Sequence, residues 1–276
     1  MEFVKMHGTG NDFILINEVE VGWQDIGNIA KRLCDRHFGI GADGLILVCK
    51  SNKFDARMRI INADGSEAEM CGNGIRCFAK YVYDRKIVTK KKMEIETLSG
   101  VVRPEVVTDD NDKVRMVRVD MGVPHLEPDS VPVRWEGRLI NEPIAFGDKT
   151  LHISSVNTGV PHTVIFVSDI DSFPIEVYGP VIEKYNIFPV GTNVNFVQVM
   201  NRKRLMVRTW ERGVGMTMAC GSGACASAFI SNVLGYIERE VIVSLPGGDL
   251  FVEVNNNIYM TGPCVEVFHG DISLWS

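Results

Sequence analysis

Two short cysteine motifs, Cys71-Gly72-Asn73-Gly74 and Cys220-Gly221-Ser222-Gly223, have the residue types and spacing for acid–base chemistry beside a bound anion. Each lies between an extended segment and a stretch with helical spacing of apolar residues, so each cysteine stands at a helix start. The glycines allow tight backbone turns where a side chain would obstruct a ligand. The first helical turn offers N–H groups without intrahelical partners and the positive end of the helix dipole. Such a nest holds a carboxylate without needing an arginine. The same field lowers the pKa of a thiol placed there from its free value of roughly 8.5. Two such thiols facing one another across a bound carboxylate suit the inversion of a carbon stereocentre. One takes the proton from one face, the other delivers a proton to the opposite face, and they exchange roles in reverse. Donors aimed at the α-carboxylate would stabilise the carbanion-like transition state. No pyridoxal phosphate site is apparent, and the expected chemistry uses no cofactor and no metal.

The elements that must position these thiols form a repeat. Thr9-Gly10 recurs as Thr158-Gly159 and Cys71-Gly72 as Cys220-Gly221, both at an offset of 149 residues (158 less 9, 220 less 71). The same shift places Arg59 on Arg208, Leu45 on Val194 and Val48 on Val197. Apolar, β-branched runs at 13–16, 44–48, 114–119, 164–167, 195–199, 205–209, 240–245 and 250–254 read as strands. Ile26, Ile29, Ala30 and Leu33 form one helical face that stops before Gly39, and the shift places Ile175, Tyr178 and Ile182 on its counterpart. Ile75, Phe78, Ala79 and Val82 form another, and 224–234 a third that Gly235 ends. The expected fold class is α+β, with two pseudo-symmetric lobes, each a mixed β-sheet wrapped around a central helix. Because 117–122 falls on 266–271, the tail is expected to return to the first lobe. The lobes are then residues 1–117 with 265–276, carrying Cys71, and residues 118–264, carrying Cys220.

Composition narrows the function classes. The 276 residues carry 29 basic and 35 acidic side chains, a net charge of −6, so no basic surface points to nucleic acid. No apolar run approaches the roughly 20 residues of a membrane helix. The N-terminus lacks the apolar stretch of a signal peptide, which points to the cytoplasm, where seven cysteines do not make a disulfide scaffold.

Four segments carry a family resemblance. Lys5-Met6-His7-Gly8-Thr9-Gly10-Asn11-Asp12-Phe13 opens the chain, and Asn62-Ala63-Asp64-Gly65 leads through Met70 into the first cysteine motif. Asn157-Thr158-Gly159-Val160-Pro161-His162 follows, and Trp210-Glu211-Arg212-Gly213 leads into the second motif. Together they closely resemble the diaminopimelate epimerases, from the first residues to the last strand. The resemblance implies a cofactor-independent enzyme that interconverts LL- and meso-2,6-diaminopimelate for lysine and peptidoglycan synthesis, acting as a homodimer. It implies that Cys71 and Cys220 are the acid/base thiols, with Gly72, Asn73, Gly221 and Ser222 cradling the reacting carboxylate through backbone N–H groups. Glu211 would accept from the reacting ammonium and, with His162, tune the thiols. Arg212 would contact the distal carboxylate, helped at that end by Asn62, Asn157 and Asn193, while Asn11 completes the pocket. Two positions depart from the family pattern: Gly44 stands where many relatives carry glutamine, and Phe268 where an interface tyrosine is common.

Other readings compete residue by residue. Cys34, Cys49, Cys77, Cys225 and Cys264 read as core. A zinc site from Cys71, Cys77, Cys220 and Cys225 would need C-x5-C and C-x4-C spacings, unlike the closer pairs usual in structural sites. Outside its motif, His162 reads equally well as a hydrogen-bonded turn histidine, His7 as a first-turn fixer, Arg59 as a solvated or paired strand residue, and 90–92 as a solvated basic turn. The 255–257 asparagines read as a hairpin turn. A proline or hydroxyproline racemase would show histidine in place of Asn73 and leave Arg212 unpaired. A more distant isomerase group lacks the two cysteines, and a thiol redox protein would predict a switching disulfide.

Overall fold

The computed structural model describes residues 1–17, 25–147 and 149–273. It divides into two compact units, Met1–Val119 with Thr261–Ser276, and Asp120–Met260. Residues 274–276 of the expected tail lie outside the described residues.

The first unit runs β1 (Glu2–Gly8), β2 (Asn11–Asn17), α1 (Ile26–Cys34), β3 (Gly44–Cys49), β4 (Ala56–Asn62), β5 (Glu67–Ala68), α2 (Gly72–Asp84), β6 (Ile95–Thr97), β7 (Gly100–Val102), β8 (Pro104–Thr108) and β9 (Val114–Asp120). The second runs β10 (Glu142–Phe146), β11 (Lys149–Asn157), β12 (Pro161–Phe166), α3 (Ile175–Glu183), β13 (Asn193–Asn201), β14 (Arg204–Glu211), β15 (Gly215–Met216), α4 (Gly221–Val233), β16 (Glu240–Leu245), β17 (Gly248–Val254) and β18 (Ile258–Pro263). The last strand, β19 (Val265–Asp271), belongs to the first unit and pairs antiparallel with β1.

The first unit's sheet has the order β19-β1-β2-β3-β4-β6-β7, with β5 on β4. Its pairs are antiparallel except β2 with β3 and β4 with β6. In the second unit the order β10-β11-β12-β13-β14-β16-β17 repeats this plan, with parallel pairs at β12–β13 and β14–β16 and β15 on β14. A shift of 149 residues carries α1 onto α3 and α2 onto α4 end to end. The fold is α+β, and the repeat read from the motifs extends to its helices and parallel pairs.

Burial explains why the strands read as they do. Helix α2 packs on β1, β2, β3, β4 and β8, while α1 packs on β3 and β4. Strand β3, covered by both helices, is therefore a continuous buried apolar run, Gly-Leu-Ile-Leu-Val-Cys. Helix α4 is likewise held by β11, β12, β13, β14, β16 and β17. Its buried face is mostly small, with Ala224, Ala226 and Ala228, and its buried Ser227 and Ser231 hydroxyls donate to carbonyls four residues back at 2.7 and 2.6 Å.

Both central helices end in the same motif. Gly235 (φ 75°) donates to Asn232 O and Tyr236 N to Ser231 O, each at 2.9 Å. Its repeat equivalent Lys86 adopts the left-handed conformation at φ 58°, with Lys86 N bonded to Tyr83 O and Ile87 N to Val82 O, each at 2.9 Å. Both helices begin three residues before the apolar periodicity starts, at Gly72 and Gly221, because their first turns are made of glycine and polar residues.

Candidate active site

In the first unit, Cys71 is the N-cap of α2, in extended conformation (φ −140°, ψ 121°), and its sulfur accepts from Gly74 N at 3.4 Å. An N-cap side chain that accepts from the third helical residue satisfies one of the helix's unpaired donors. Cys71 Sγ lies 3.6 Å from Asn11 Oδ1, which also accepts from Asn73 Nδ2 at 3.2 Å. The amide of Asn11 is oriented from the other side: its Nδ2 donates to Asp43 Oδ2 at 2.7 Å, and a carboxylate only accepts. Asp43 is paired with Arg36 at 2.7 Å, and Arg36 also binds Asp12 at 2.8 Å. Burial acts to raise the Asp12 pKa, but hydrogen bonds from Arg36 and Lys5 hold it down at about 2. This ion cluster fixes the start of β2 and hence Asn11. Fully buried Arg76, one turn into α2, donates to Gly72 O at 3.0 Å, Thr9 Oγ1 at 3.1 Å and Pro263 O at 3.3 Å. Asn62, at the end of β4 opposite Gly44, is oriented by Nδ2 donation to Ser66 Oγ at 2.9 Å.

In the second unit, Cys220 is the N-cap of α4 (φ −119°, ψ 109°) and accepts from Gly223 N at 3.3 Å. Ser222 Oγ is 3.5 Å from Cys220 Sγ and 2.9 Å from His162 Nε2. His162 lies within β12 and is fully buried rather than sitting in a turn. Pro161 begins the strand instead of ending it, since a first strand position needs no ladder donor there. Burial first, and then the positive charge of Arg212, push the His162 pKa down to about 3, so the ring is neutral. Asn193 bridges two segments, donating to Pro161 O at 3.0 Å and accepting from Arg212 N at 2.9 Å. The Arg212 guanidinium donates to Val190 O at 2.8 Å, and Glu211 Oε1 accepts from Thr217 at 2.7 Å. Asn157 ends β11 and donates to Ser130 O at 2.7 Å.

The structure thus gathers Asn11, Cys71, Gly72 and Asn73 around one helix start, and His162, Cys220, Gly221 and Ser222 around another. Asn193, Glu211 and Arg212 share the neighbouring β13–β14 strand ends, and Asn62 and Asn157 are held by hydrogen bonds to Ser66 and Ser130. Among the other cysteines, burial raises Cys34 to about 11, Cys264 to about 12 and Cys77 well above its usual value, which keeps these core thiols protonated. Among the described residues, no group of three or more His, Cys, Asp or Glu is placed to hold a metal ion. No described helix is long and apolar enough to cross a membrane.

Six supporting residues are given no role by the sequence reading. Asp43 and Arg76 serve the first unit. In the second, Thr158 donates to Ser222 O at 3.0 Å, and Thr209 and Asn195 stand behind His162. Glu183 accepts from Trp210 Nε1 at 2.8 Å and Gly213 N at 3.1 Å, holding the turn that carries Glu211 and Arg212. One signal for Asn195 was present: the 149-residue shift places it on Ile46, inside an otherwise apolar strand.

A family model of diaminopimelate epimerase matches residues 3–127 and 154–267. The chain belongs to the diaminopimelate epimerase family. It is 53% identical over 277 residues to the diaminopimelate epimerase of Caldanaerobacter subterraneus, covering 99% of this chain and 100% of that protein. It is 50% identical over 281 residues to that of Heliobacterium modesticaldum, with 99% and 100% covered. Among solved structures it resembles a PhzF-family phenazine biosynthesis protein of Bacillus anthracis, with TM-score 0.74, 16% identity and 99% of both chains covered. It also resembles a probable proline racemase of Agrobacterium radiobacter, with TM-score 0.72, 14% identity, and 99% of this chain and 93% of that one covered. These last two likenesses establish the fold. The family's fold is thus built here around two central helices, each capped by a cysteine.

Proposed function

We propose that the chain interconverts LL- and meso-2,6-diaminopimelate without a cofactor, using Cys71 and Cys220 as a thiol/thiolate pair, and so serves lysine and peptidoglycan precursor synthesis. One observation carries the mechanism: each cysteine caps a central helix with its sulfur hydrogen-bonded to the helix's own N–H, at 3.4 and 3.3 Å. Such donors favour the thiolate that must take the α-proton. The N–H groups of Gly72, Asn73, Gly221 and Ser222 hold the α-carboxylate and stabilise the negative charge that develops on it as the proton leaves. Glu211, oriented by Thr217, accepts from the reacting ammonium. Arg212, oriented by Val190 O and Asn193, binds the distal carboxylate, with Asn62 and Asn157 completing recognition of the distal zwitterion and Asn11 that of the first-unit side. His162 tunes the second thiol.

The enzyme works in the reducing cytosol, where both thiols are preserved, and as a homodimer. Dimerisation is supported by β19, an edge strand of the first unit's sheet with exposed Val265, Val267 and Phe268. Light scattering at micromolar concentration tests it, a monomer mass being the contrary result.

The decisive experiment incubates reduced protein with LL-diaminopimelate in D2O and follows α-deuterium and meso product. Exchange with epimerisation is expected, and absence of both sinks the proposal. Proline run alongside distinguishes the racemase reading, because a compact apolar amino acid leaves Arg212 without its carboxylate.

A further inference from the structure

Behind Cys220 runs a chain of side chains whose hydrogen-bond directions are fixed by its far end. Asn195 Nδ2 lies 3.2 Å from Thr163 O, and a backbone carbonyl only accepts, so that atom is the amide nitrogen. Its Oδ1 correspondingly accepts from Thr209 Oγ1 at 3.0 Å. The second Nδ2 hydrogen is aimed at His162 Nδ1, 3.1 Å away. His162 Nδ1 is therefore an acceptor, and the single proton of the neutral ring sits on Nε2, where it is donated to Ser222 Oγ at 2.9 Å. Ser222 Oγ lies 3.5 Å from Cys220 Sγ, a contact in which either atom can donate, and with its oxygen accepting from His162 the hydroxyl keeps its own hydrogen available for the sulfur.

We propose that Asn195 is a positioning residue which, by locking His162 as the Nε2–H tautomer, turns the Ser222 hydroxyl onto Cys220 and stabilises that thiol's thiolate form. Thr209 assists by holding the Asn195 amide. The relay is a specialisation of one lobe. Under the 149-residue shift His162, Asn195 and Thr209 fall on Phe13, Ile46 and Ile60, all buried and all apolar. A fully buried asparagine in that strand would be a net loss to folding unless its amide were satisfied, and here both Nδ2 hydrogens and the Oδ1 oxygen have partners. The close approach of Asn195 to the helix also explains Gly223, since a Cβ there would overlap Asn195 Oδ1. Charged groups nearby leave the relay neutral: Arg212 disfavours a second proton on His162, and the Glu211 carboxylate is engaged by Thr217.

This inference rests on the proposed two-thiol chemistry, and a substrate-free readout separates its failure from failure of that chemistry. Imidazole 15N spectra of the reduced enzyme read the tautomer, and 13Cβ-cysteine spectra, assigned with Cys220→Ala, read the thiolate-to-thiol ratio at Cys220. The expected result is the Nε2–H tautomer in the parent protein. Asn195→Leu should lower the Cys220 thiolate-to-thiol ratio about tenfold, the scale of one hydrogen bond to a charged group. Thr209→Val, which keeps the strand's shape, should shift it less in the same direction. Adding Ser222→Ala to Asn195→Leu should change nothing beyond Ser222→Ala alone, since both act through one hydroxyl. An Nδ1–H tautomer or an imidazolium in the parent, an unchanged ratio in folded Asn195→Leu, or full additivity with Ser222→Ala overturns the proposal. If Asn195→Leu does not fold, Thr209→Val decides: a redistributed His162 tautomer supports the relay, and an unaltered tautomer and ratio overturn it.

Discussion

The two halves of this chain place a cysteine at the same point of the same helix and then support it by different chemistry. Beneath the first thiol, Gly74 lies against Ile46 and Ile60, so the floor of the helix start is hydrocarbon. Its polar support comes from the side, through Asn11 oriented by the Asp43–Arg36–Asp12 ion cluster, and from the buried guanidinium of Arg76. Beneath the second thiol, the equivalent floor is Asn195 and Thr209, and the support is a neutral hydrogen-bonded chain ending on Ser222. The shift that equates the helices places Cys225 where Arg76 stands, so the buried cation is confined to one lobe. Pseudo-symmetry therefore preserves what the backbone does, the start of each central helix at a capping cysteine, and leaves the side chains to give the two thiols non-identical surroundings. Under the proposed two-thiol chemistry the pair needs opposite protonation states at any instant, so unequal surroundings are compatible with that proposal.

The largest effects should show the thiols to be equally necessary. Cys71→Ala and Cys220→Ala should each lower epimerisation by on the order of 10²–10⁴-fold, the range for loss of a positioned acid or base. Steady-state rates in both directions check this, and full activity in either variant removes the equivalence. The glycines behind the thiols should then separate the lobes. Gly223→Ala forces a methyl against Asn195 Oδ1 and to 3.2 Å from Cys220 Sγ, whereas Gly74→Ala meets the Ile46 methyl at 3.3 Å. Denaturant unfolding should show Gly223→Ala destabilised by about 2–3 kcal/mol and Gly74→Ala by about 1 kcal/mol. Equal losses would mean the two floors yield equally.

Exchanging the floor residues sharpens the same contrast. Phe13→His buries an imidazole where the parent buries a phenyl ring, and should cost about 1–3 kcal/mol of stability in the same measurement. A parent-like midpoint would show that the first lobe can satisfy a histidine. The parent His162 has its own signature in acid. Its folded pKa of about 3 lies below the unfolded value near 6.5, so the unfolded chain binds the extra proton between them. Its contribution to stability is complete above about pH 6.5 and is lost on acidification toward pH 3, at about 1.4 kcal/mol per pH unit. His162→Phe should remove that slope, and an unchanged slope would assign it to other groups. The smallest effect is at the helix ends: Lys86→Gly relieves a left-handed lysine where the second lobe already has Gly235. Stabilisation of up to about 1 kcal/mol is expected, net of the lost Lys86–Asp112 ion pair at 3.0 Å. A loss of stability would show that pair to outweigh the backbone strain.

Much of the framework is legible in local sequence. The 26–33 face is α1, the repeat extends it to α3, and the strands read at 44–48 and 240–245 are β3 and β16. Apolar periodicity and turn chemistry act over a few residues, so they can be read without knowing neighbours in space. Strands such as β1, β11 and β18 were missed because their polar and apolar residues mix according to which face another element covers. Arg59, read as a solvated or paired strand residue, is bonded through Nε to Glu67 at 2.7 Å, and the 255–257 asparagines form the turn before β18. His162 misleads for the same reason as the missed strands: beside Pro161 it looks like turn chemistry, and only the pairing of β12 with β11 and β13 buries it.

The sequence by itself determined the two helix starts, the cysteines that cap them, and the repeat that makes them equivalent, because caps, glycines and periodicity are local properties of the chain. Tertiary structure decided how each thiol is supported. Thr209, Asn195, His162 and Ser222 come from β14, β13, β12 and α4, and only the stacking of those strands against the helix buries the first three and brings the polar atoms of all four within hydrogen-bond reach of one another. Burial and hydrogen-bond direction depend on what lies across a strand rather than along it. Two motifs that look alike in sequence therefore differ in the groups that hold their sulfurs.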